Sequence, residues 1–479
     1  MSPKSGTDAS VGGLSYLHGV LTGTTSAMVS RGLAIASGII LAKTLAPDAL
    51  GNFFSDQALV LAGGGLVNLG IGQGYRQLVS RQPQLRQSHL LPTIAIRTLA
   101  TFLYFCGLSV YLVCTGLWKA HTVVVVCGTL MLSLLELVQI DLQITRRFLH
   151  VAVLDLSRGF VVFLAAVLCR LGGEHKYEIL VGSYLFLSLV LATMGGMMVR
   201  PALVTLRRFN YLRLLKTSIP FAVAIFVYSF TSYWALIYVR QVLGEEQAGY
   251  YAVPLKVYQI ALVVCMSVSG VAIPLYHKLA ASGQFEVYAT VFARLVRGLW
   301  LSGGLIFALC LCVPGFLIRT LAEERYMAAE AVFPLVGLGV LFRFLAIPAG
   351  NILESVDRQW FRVGLQSFGA VICLAGVSLI VPRYGIVGAG WTLVAVDLWV
   401  LLSYWLVSLR VAPQVVRLHR LFAPAGVLVA MVAVLWFSNI LLSWVGLLLL
   451  SAAWASYVTF ALGFRHEIVK MAGSLRGRR

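Results

Sequence analysis

Six ionisable side chains fall within stretches that are otherwise almost wholly apolar: Arg31, Asp56, Glu136, Lys256, Arg343 and Asp397. A charge near the centre of a lipid-facing helix costs about 2.5 to 3.5 kcal/mol on insertion scales, so the three cations alone would cost on the order of 8 to 10 kcal/mol against acyl chains. They are therefore expected to face a partner or a wet hollow. Sheltered cations of this kind hold anions, and a guanidinium fork takes phosphate oxygens two at a time. The competing reading is that Arg31, Lys256 and Arg343, each about two turns from a helix end, snorkel to the nearer interface. Glu136 and Asp397 suit either an interhelical hydrogen bond or a coupling ion. Arg97, Asp141, Asp155 and Arg158 lie closer to the basic helix ends, and Asp155 and Arg158, spaced i and i+3, are expected to form a local ion pair.

Aromatic residues cluster beside these charges: Tyr228, Tyr233, Trp234 and Tyr238, then Tyr251 and Tyr258. Such rings stack on sugar faces, and they also populate membrane interfaces by default. Tyr233 and Trp234 are the candidates for a glycan path. The eight cysteines, from Cys106 to Cys373, show no metal-like spacing with histidine and read as small core residues. No metal and no cofactor are expected.

The elements that must position these groups are apolar helices. The 479 residues are 59% hydrophobic and 11% charged, with a mean hydropathy of +0.89, where a soluble domain carries about 25% charge. A span needs roughly 20 apolar residues, and such stretches recur from Thr24 to Leu462, about fourteen in all. The backbone cannot leave amides unpaired in lipid, and no barrel-like alternation is present, so an all-α polytopic membrane protein is predicted. The start, Met1 to Gly19, shows no signal-peptide pattern.

Basic residues alternate between the two sides of these spans. Arg76, Arg81 and Arg86, then Arg146 and Arg147, then Arg200 to Lys216, then Lys278 and Arg294, then Arg410 to Arg420 and the tail from Arg465 fall on one side. The opposite turns carry Asp48, Glu174, Glu245, Glu246, Glu323 and Glu324. The positive-inside rule makes the basic side cytoplasmic, with both termini there. The formal charge of +19 is then topological, because the basic loops are short and separated; no nucleic-acid partner is expected.

The two halves repeat. Leu45 to Phe53 lies opposite Leu243 to Tyr251, which puts Gly51 and Gly249 in the same place, and Arg146 to Leu149 corresponds to Arg358 to Phe361. Copies of equal topology imply a parallel repeat. The predicted domains are residues 1–213 (a first lobe of six helices), 214–413 (a second such lobe) and 414–479 (two further helices and a basic tail). Gly63, Gly64 and Gly65, with Pro220 and Pro254, would either loosen helices or pack them closely.

Leu41 to Pro47 followed by Gly51, Leu69 to Gln73 leading to Arg81, Ile273 to Leu275 leading to Lys278, and Pro382 to Gly390 together resemble the polysaccharide transporter branch of the multidrug/oligosaccharidyl-lipid/polysaccharide exporter superfamily, the Wzx-type oligosaccharide flippases. The resemblance covers nearly the whole chain. It implies movement of an undecaprenyl-pyrophosphate-linked oligosaccharide (O-antigen, capsule or exopolysaccharide) across the bacterial inner membrane, through a cationic cavity between two lobes. Membrane lipids, a polysaccharide polymerase and a chain-length regulator are the implied partners. In that family the first, second, seventh and eighth helices line the cavity. Arg31 and Lys256 would then draw in the pyrophosphate, Arg343 would assist, and Asp56 would weaken the grip so that cargo leaves.

An enzyme is not expected. The loops are too short for a sugar-nucleotide domain, and there is no Asp-x-Asp pair, no Gly-x-x-x-x-Gly-Lys loop and no metal-spaced histidine cluster. The alternatives within the superfamily are a lipid II flippase and a multidrug or toxin cation antiporter, the second of which needs an acidic cation-selecting cavity.

Overall fold

The computed structural model describes residues 8–81, 86–145, 147–198, 211–356, 358–416, 432 and 444–461. Arg146, the stretch from Arg200 to Asn210, all but Val432 of the expected span Phe422 to Ile440, and the tail from Arg465 lie outside the described residues. Every described element is a helix, and nine of the described helices are long and apolar enough to cross a bilayer. The chain is a multi-pass, all-α integral membrane protein. It forms two compact units, Met1–Gly249 and Tyr250–Arg479.

In the first unit, α1 (Asp8–Thr44) runs along α7 (Phe148–Leu171). Gly159 makes this possible, since a Cβ there would stand 2.5 Å from the Ser30 carbonyl oxygen; small residues let membrane helices approach backbone to backbone. The second expected span, Phe53 to Ile71, is in two pieces, α2 (Pro47–Ala62), opened by its proline, and α3 (Gly64–Asn68), and α4 (Ile71–Arg81) follows where it ends. The chain breaks at Gly63 and again at Leu69 and Gly70, whose φ angles are 46° and 60°. The glycine run serves packing: a Cβ on Gly63 would lie 2.2 Å from the Tyr104 ring, and one on Gly65 2.3 Å from Phe226. Tyr104 donates its hydroxyl to the Leu59 carbonyl at 2.6 Å, supplying a partner beside the interruption, as membrane backbone requires.

The unit is completed by α5 (Arg86–Cys114), α6 (Ala120–Ile144), α8 (Lys176–Met198) and α9 (Tyr211–Leu243). Helix α6 packs on α8 and α2, and α9 packs on α2, α3 and α4. The expected second lobe begins at residue 214, within α9, whereas contacts group that helix with the first unit. Along α5, Leu99, Phe102, Leu103, Val110 and Val113 are exposed, a lipid-facing stripe.

The second unit takes α10 (Glu245–Ala281) from Tyr250 onward, α11 (Phe285–Cys312), α12 (Pro314–Leu321), a 3-10 segment (Glu324–Val332), α13 (Phe333–Ser355), α14 (Gln359–Val411) and α15 (Trp444–Ala461). Helix α13 lies inside, against α11 and α14. Its core is aromatic, with Tyr276, Tyr288, Phe292, Trp300, Trp405 and Trp454. The indoles are satisfied there: Trp405 donates to Leu345 O at 3.0 Å and Trp454 to Trp300 O at 3.2 Å.

Helix α14 is two helices joined across Gly385, where φ is 58° and ψ −142°, within the expected turn Pro382 to Gly390. Only glycine occupies that region at low cost. Gly385→Ala is expected to cost about 1 to 3 kcal/mol, read as a lowered thermal midpoint. Gly364→Ala, in a helix with nothing within 4 Å of the added carbon, is the control that should not lower it.

Candidate anion-binding site

The basic half of the first unit holds a cluster of arginines. Arg97 of α5 is 1% exposed; its Nη2 donates to Ser133 O at 2.7 Å and reaches Glu136 of α6 at 3.3 Å. Arg76 of α4 and Arg158 of α7 also interact electrostatically with Glu136. Arg158 donates to Gln139 Oε1 at 3.1 Å and to Leu132 O at 2.5 Å, while the Gln139 amide nitrogen donates to Asp155 at 2.6 Å. Asp155 and Arg158 therefore meet through Gln139 rather than as a bare pair. Arg31, exposed on α1, interacts electrostatically with Asp155, and the Gly159 contact sets α1 against α7. One arginine, Arg97, is ion-paired with Glu136, and Arg76, Arg158 and Arg31 act on Glu136 or Asp155 through longer-range charge interactions.

A clip closes the basic ends of α4, α5 and α6. Arg86 grips Asp141 with Nε at 2.9 Å and Nη2 at 2.7 Å, and Tyr75 donates to the same carboxylate at 2.8 Å. The fork is of the bidentate kind, and its hydrogen bonds to Asp141 raise the Arg86 guanidinium above its ordinary value. Its charge is thereby used, which sets it apart from the cluster around Glu136.

At the acidic end, Asp56 of α2 is fully buried and pairs with Arg240 of α9. Glu245 joins them: Asn52 donates to it at 2.7 Å, Lys119 at 2.6 Å, and Arg240 lies 3.6 Å away. The two repeated turns touch here by main chain. A Cβ on Gly51 would stand 2.0 Å from Glu245 O, and one on Gly249 1.8 Å from Pro47 O.

In the second unit, Asp397 of α14 is buried, ion-paired with Arg343 of α13, and accepts a hydrogen bond from the Tyr258 hydroxyl at 2.6 Å. Arg343 Nε donates to the same hydroxyl at 3.2 Å. Lys256 is half-buried on α10, two residues before Tyr258. Glu136 and Asp397, the candidates for coupling or interhelical roles, thus each contact an arginine from another helix.

The aromatic candidates sit on α9. Trp234 stacks on Phe230 with centroids 4.9 Å apart, and Tyr233 is half-buried beside it. The Trp234 indole nitrogen has no acceptor among the described residues. Among the described residues no group of three or more His, Cys, Asp or Glu side chains could hold a metal.

Sequence reasoning misses Arg240 and sets Arg97 and Arg158 too close to the helix ends. Arg240 lies in the last turn of its span, where a cation reads as an interfacial anchor; the signal was Asp56, a carboxylate needing a cation at matching depth. Arg97 and Arg158 were placed near the basic face, though their partners Ser133, Glu136 and Leu132 lie two to three turns inside α6.

No family profile matches the chain, and no curated protein matches it. Solved structures do. A lipid II flippase, MurJ, in an inward closed conformation aligns with a TM-score of 0.67 at 11% identity, covering 94% of this chain and all of that one. A multidrug resistance MATE family transporter in an inward-facing conformation gives 0.57 at 12% identity, over 80% of this chain and 95% of that one. A transporter from Pyrococcus furiosus, described as having a binding pocket of reverse polarity, gives 0.58 at 9% identity over 84% and 96%. At such identities the likeness is one of architecture: this chain has the fold of the multidrug/oligosaccharidyl-lipid/polysaccharide exporter superfamily of transporters.

Proposed function

We propose that the chain is a flippase which carries an undecaprenyl-pyrophosphate-linked oligosaccharide repeat unit from the cytoplasmic to the periplasmic leaflet of a bacterial inner membrane, by alternating access. The observation that carries this reading is the surplus of cations over carboxylates among its membrane helices, above all Arg97, ion-paired with Glu136, and Arg31, Arg76 and Arg158, whose charges act on Glu136 or Asp155. Lipid excludes a bare pyrophosphate; arginine forks replace its water. Arg31 and Lys256 draw in the phosphates in this reading, Arg343 assists from its pair with Asp397, Asp56 weakens the grip so that cargo leaves, and Tyr233 and Trp234 offer faces to the sugars. Both termini are cytoplasmic, and a polymerase and chain-length regulator act next on the product.

A lipid II flippase is the second reading, favoured by the full-length match to MurJ. A cation antiporter fits less well. Its carboxylates must be open to a cationic guest, whereas Asp56 and Asp397 are each engaged by an arginine.

Proteoliposomes carrying a fluorescent undecaprenyl-pyrophosphate oligosaccharide test the proposal through protection of the label from an impermeant quencher. Arg31→Ala and Lys256→Ala are each expected to slow flipping about tenfold, equivalent to about 1.4 kcal/mol. Near-normal transport by both variants removes their assigned role. Faster flipping of lipid II than of the oligosaccharide lipid selects the second reading.

A further inference from the structure

The flank of the first unit carries a pocket of about 310 Å³ between α5, α6 and α8, lined by Leu91, Ile94, Leu134, Leu135, Val138 and Gly196 among others, with Arg97 and Thr98. Leu91, Thr98 and Gly196 are exposed, and Thr98 is followed on α5 by the exposed apolar residues Leu99, Phe102 and Leu103, a surface suited to acyl chains. All three helices bring to it the halves nearest their basic ends. Arg97 lines this pocket while buried to 1% exposure, and its Nε has no acceptor among the described residues. A purely apolar guest would leave that donor unmade, at a cost of about 1 to 3 kcal/mol or more for a charged group. The guest that suits the pocket has a hydrocarbon chain and an anionic oxygen.

Charge decides which anion. Arg97 is ion-paired with Glu136, and Arg76, Arg158 and Arg31 add their positive charge to a neighbourhood that holds Glu136 and Asp155, an excess that a dianion neutralises and that a phosphodiester with a single charge does not. We infer that this pocket is a lateral docking site for a prenyl pyrophosphate lipid: the isoprenyl units nearest the phosphates lie along Leu91, Ile94, Leu134 and Val138, and a pyrophosphate oxygen accepts from Arg97. The inference rests on the flippase reading and adds to it a place, on the outside of the first unit, where the carrier lipid is held before it is moved. Gly196 is part of the design. Nothing lies within 4 Å of a Cβ at that position, so a larger side chain enters the pocket instead of disturbing the helices.

The test is native mass spectrometry of the full chain in nanodiscs of phosphatidylcholine, with undecaprenyl pyrophosphate as the probe and phosphatidylglycerol as competitor. The wild-type chain is expected to retain the probe against a tenfold excess of phosphatidylglycerol. Gly196→Phe and Arg97→Gln are each expected to weaken retention at least tenfold, while Leu103→Phe, on the exposed stripe outside the pocket, leaves it unchanged. The thermal midpoint of Gly196→Phe should match wild type. Retention unaltered in both pocket variants overturns the inference and leaves the flippase reading standing. Equal displacement by phosphatidylglycerol also overturns it, marking an ordinary phospholipid slot. Failure of the wild-type chain to bind the probe at all removes the flippase reading, and the inference with it.

Discussion

Arg240→Leu is expected to be among the most damaging single substitutions in this protein, costing about 3 to 5 kcal/mol, the range found when one member of a buried ion pair is removed and the other charge is left behind. Asp56 is fully buried and Arg240 is 3% exposed, so neither can turn to water. Deleting the guanidinium takes away the cation that neutralises this carboxylate. The double variant Asp56→Leu/Arg240→Leu takes away both charges and is expected to recover most of the loss, because an apolar pair in such a site is often as stable as the ionic one. Thermal unfolding in detergent, followed by tryptophan emission, compares the single variants with the double. If Arg240→Leu alone unfolds at the wild-type temperature, the pair contributes nothing and the burial argument fails.

Gly249→Val should pry apart the contact between the two repeated turns. The new Cβ would sit 1.8 Å from the Pro47 carbonyl oxygen, whereas nonbonded heavy atoms rest near about 3.5 Å, so the turns have to separate by roughly 1.5 Å. The Asn52 to Glu245 hydrogen bond of 2.7 Å is lost with them. Spin labels at Asp48→Cys and Glu246→Cys, in a background without native cysteines, read the distance directly, and flipping is expected to fall more than tenfold. Gly107→Ala, with nothing within 4 Å of its added carbon, should change neither reading. An unaltered label distance in Gly249→Val would refute the main-chain contact.

The helical architecture was legible because bilayer thickness and backbone pairing leave few choices: long apolar runs must be helices, and Gly385 marks the joint between two of them inside the continuous stretch Gln359–Val411. The division of the second span into α2 and α3, with α4 following, was only partly legible. Its glycine run was visible, but the left-handed Leu69 has no sequence signal. At the candidate site, depth in the membrane singled out Asp56, Glu136, Arg343 and Asp397, all of which contact a charge from another helix. Their partners were less visible. Which arginine meets which carboxylate depends on helix rotation and on neighbours far apart in sequence, such as Asp56 and Arg240, and no single-chain periodicity encodes that. The i, i+3 spacing of Asp155 and Arg158 even suggested a local pairing that Gln139 in fact mediates.

The meeting of Gly51 with the turn around Gly249 is made by main-chain atoms on both sides. Peptide groups are common to every residue, so this close approach asks only that two positions stay bare, and the Asn52 to Glu245 hydrogen bond beside it adds to a fit that the backbone already makes. Ala-Pro-Asp in one turn and Gly-Glu-Glu in the other can serve the same fit. Shape held in this way survives while spelling drifts, and a chain sharing 9 to 12% of its residues with solved transporters can still fold as they do.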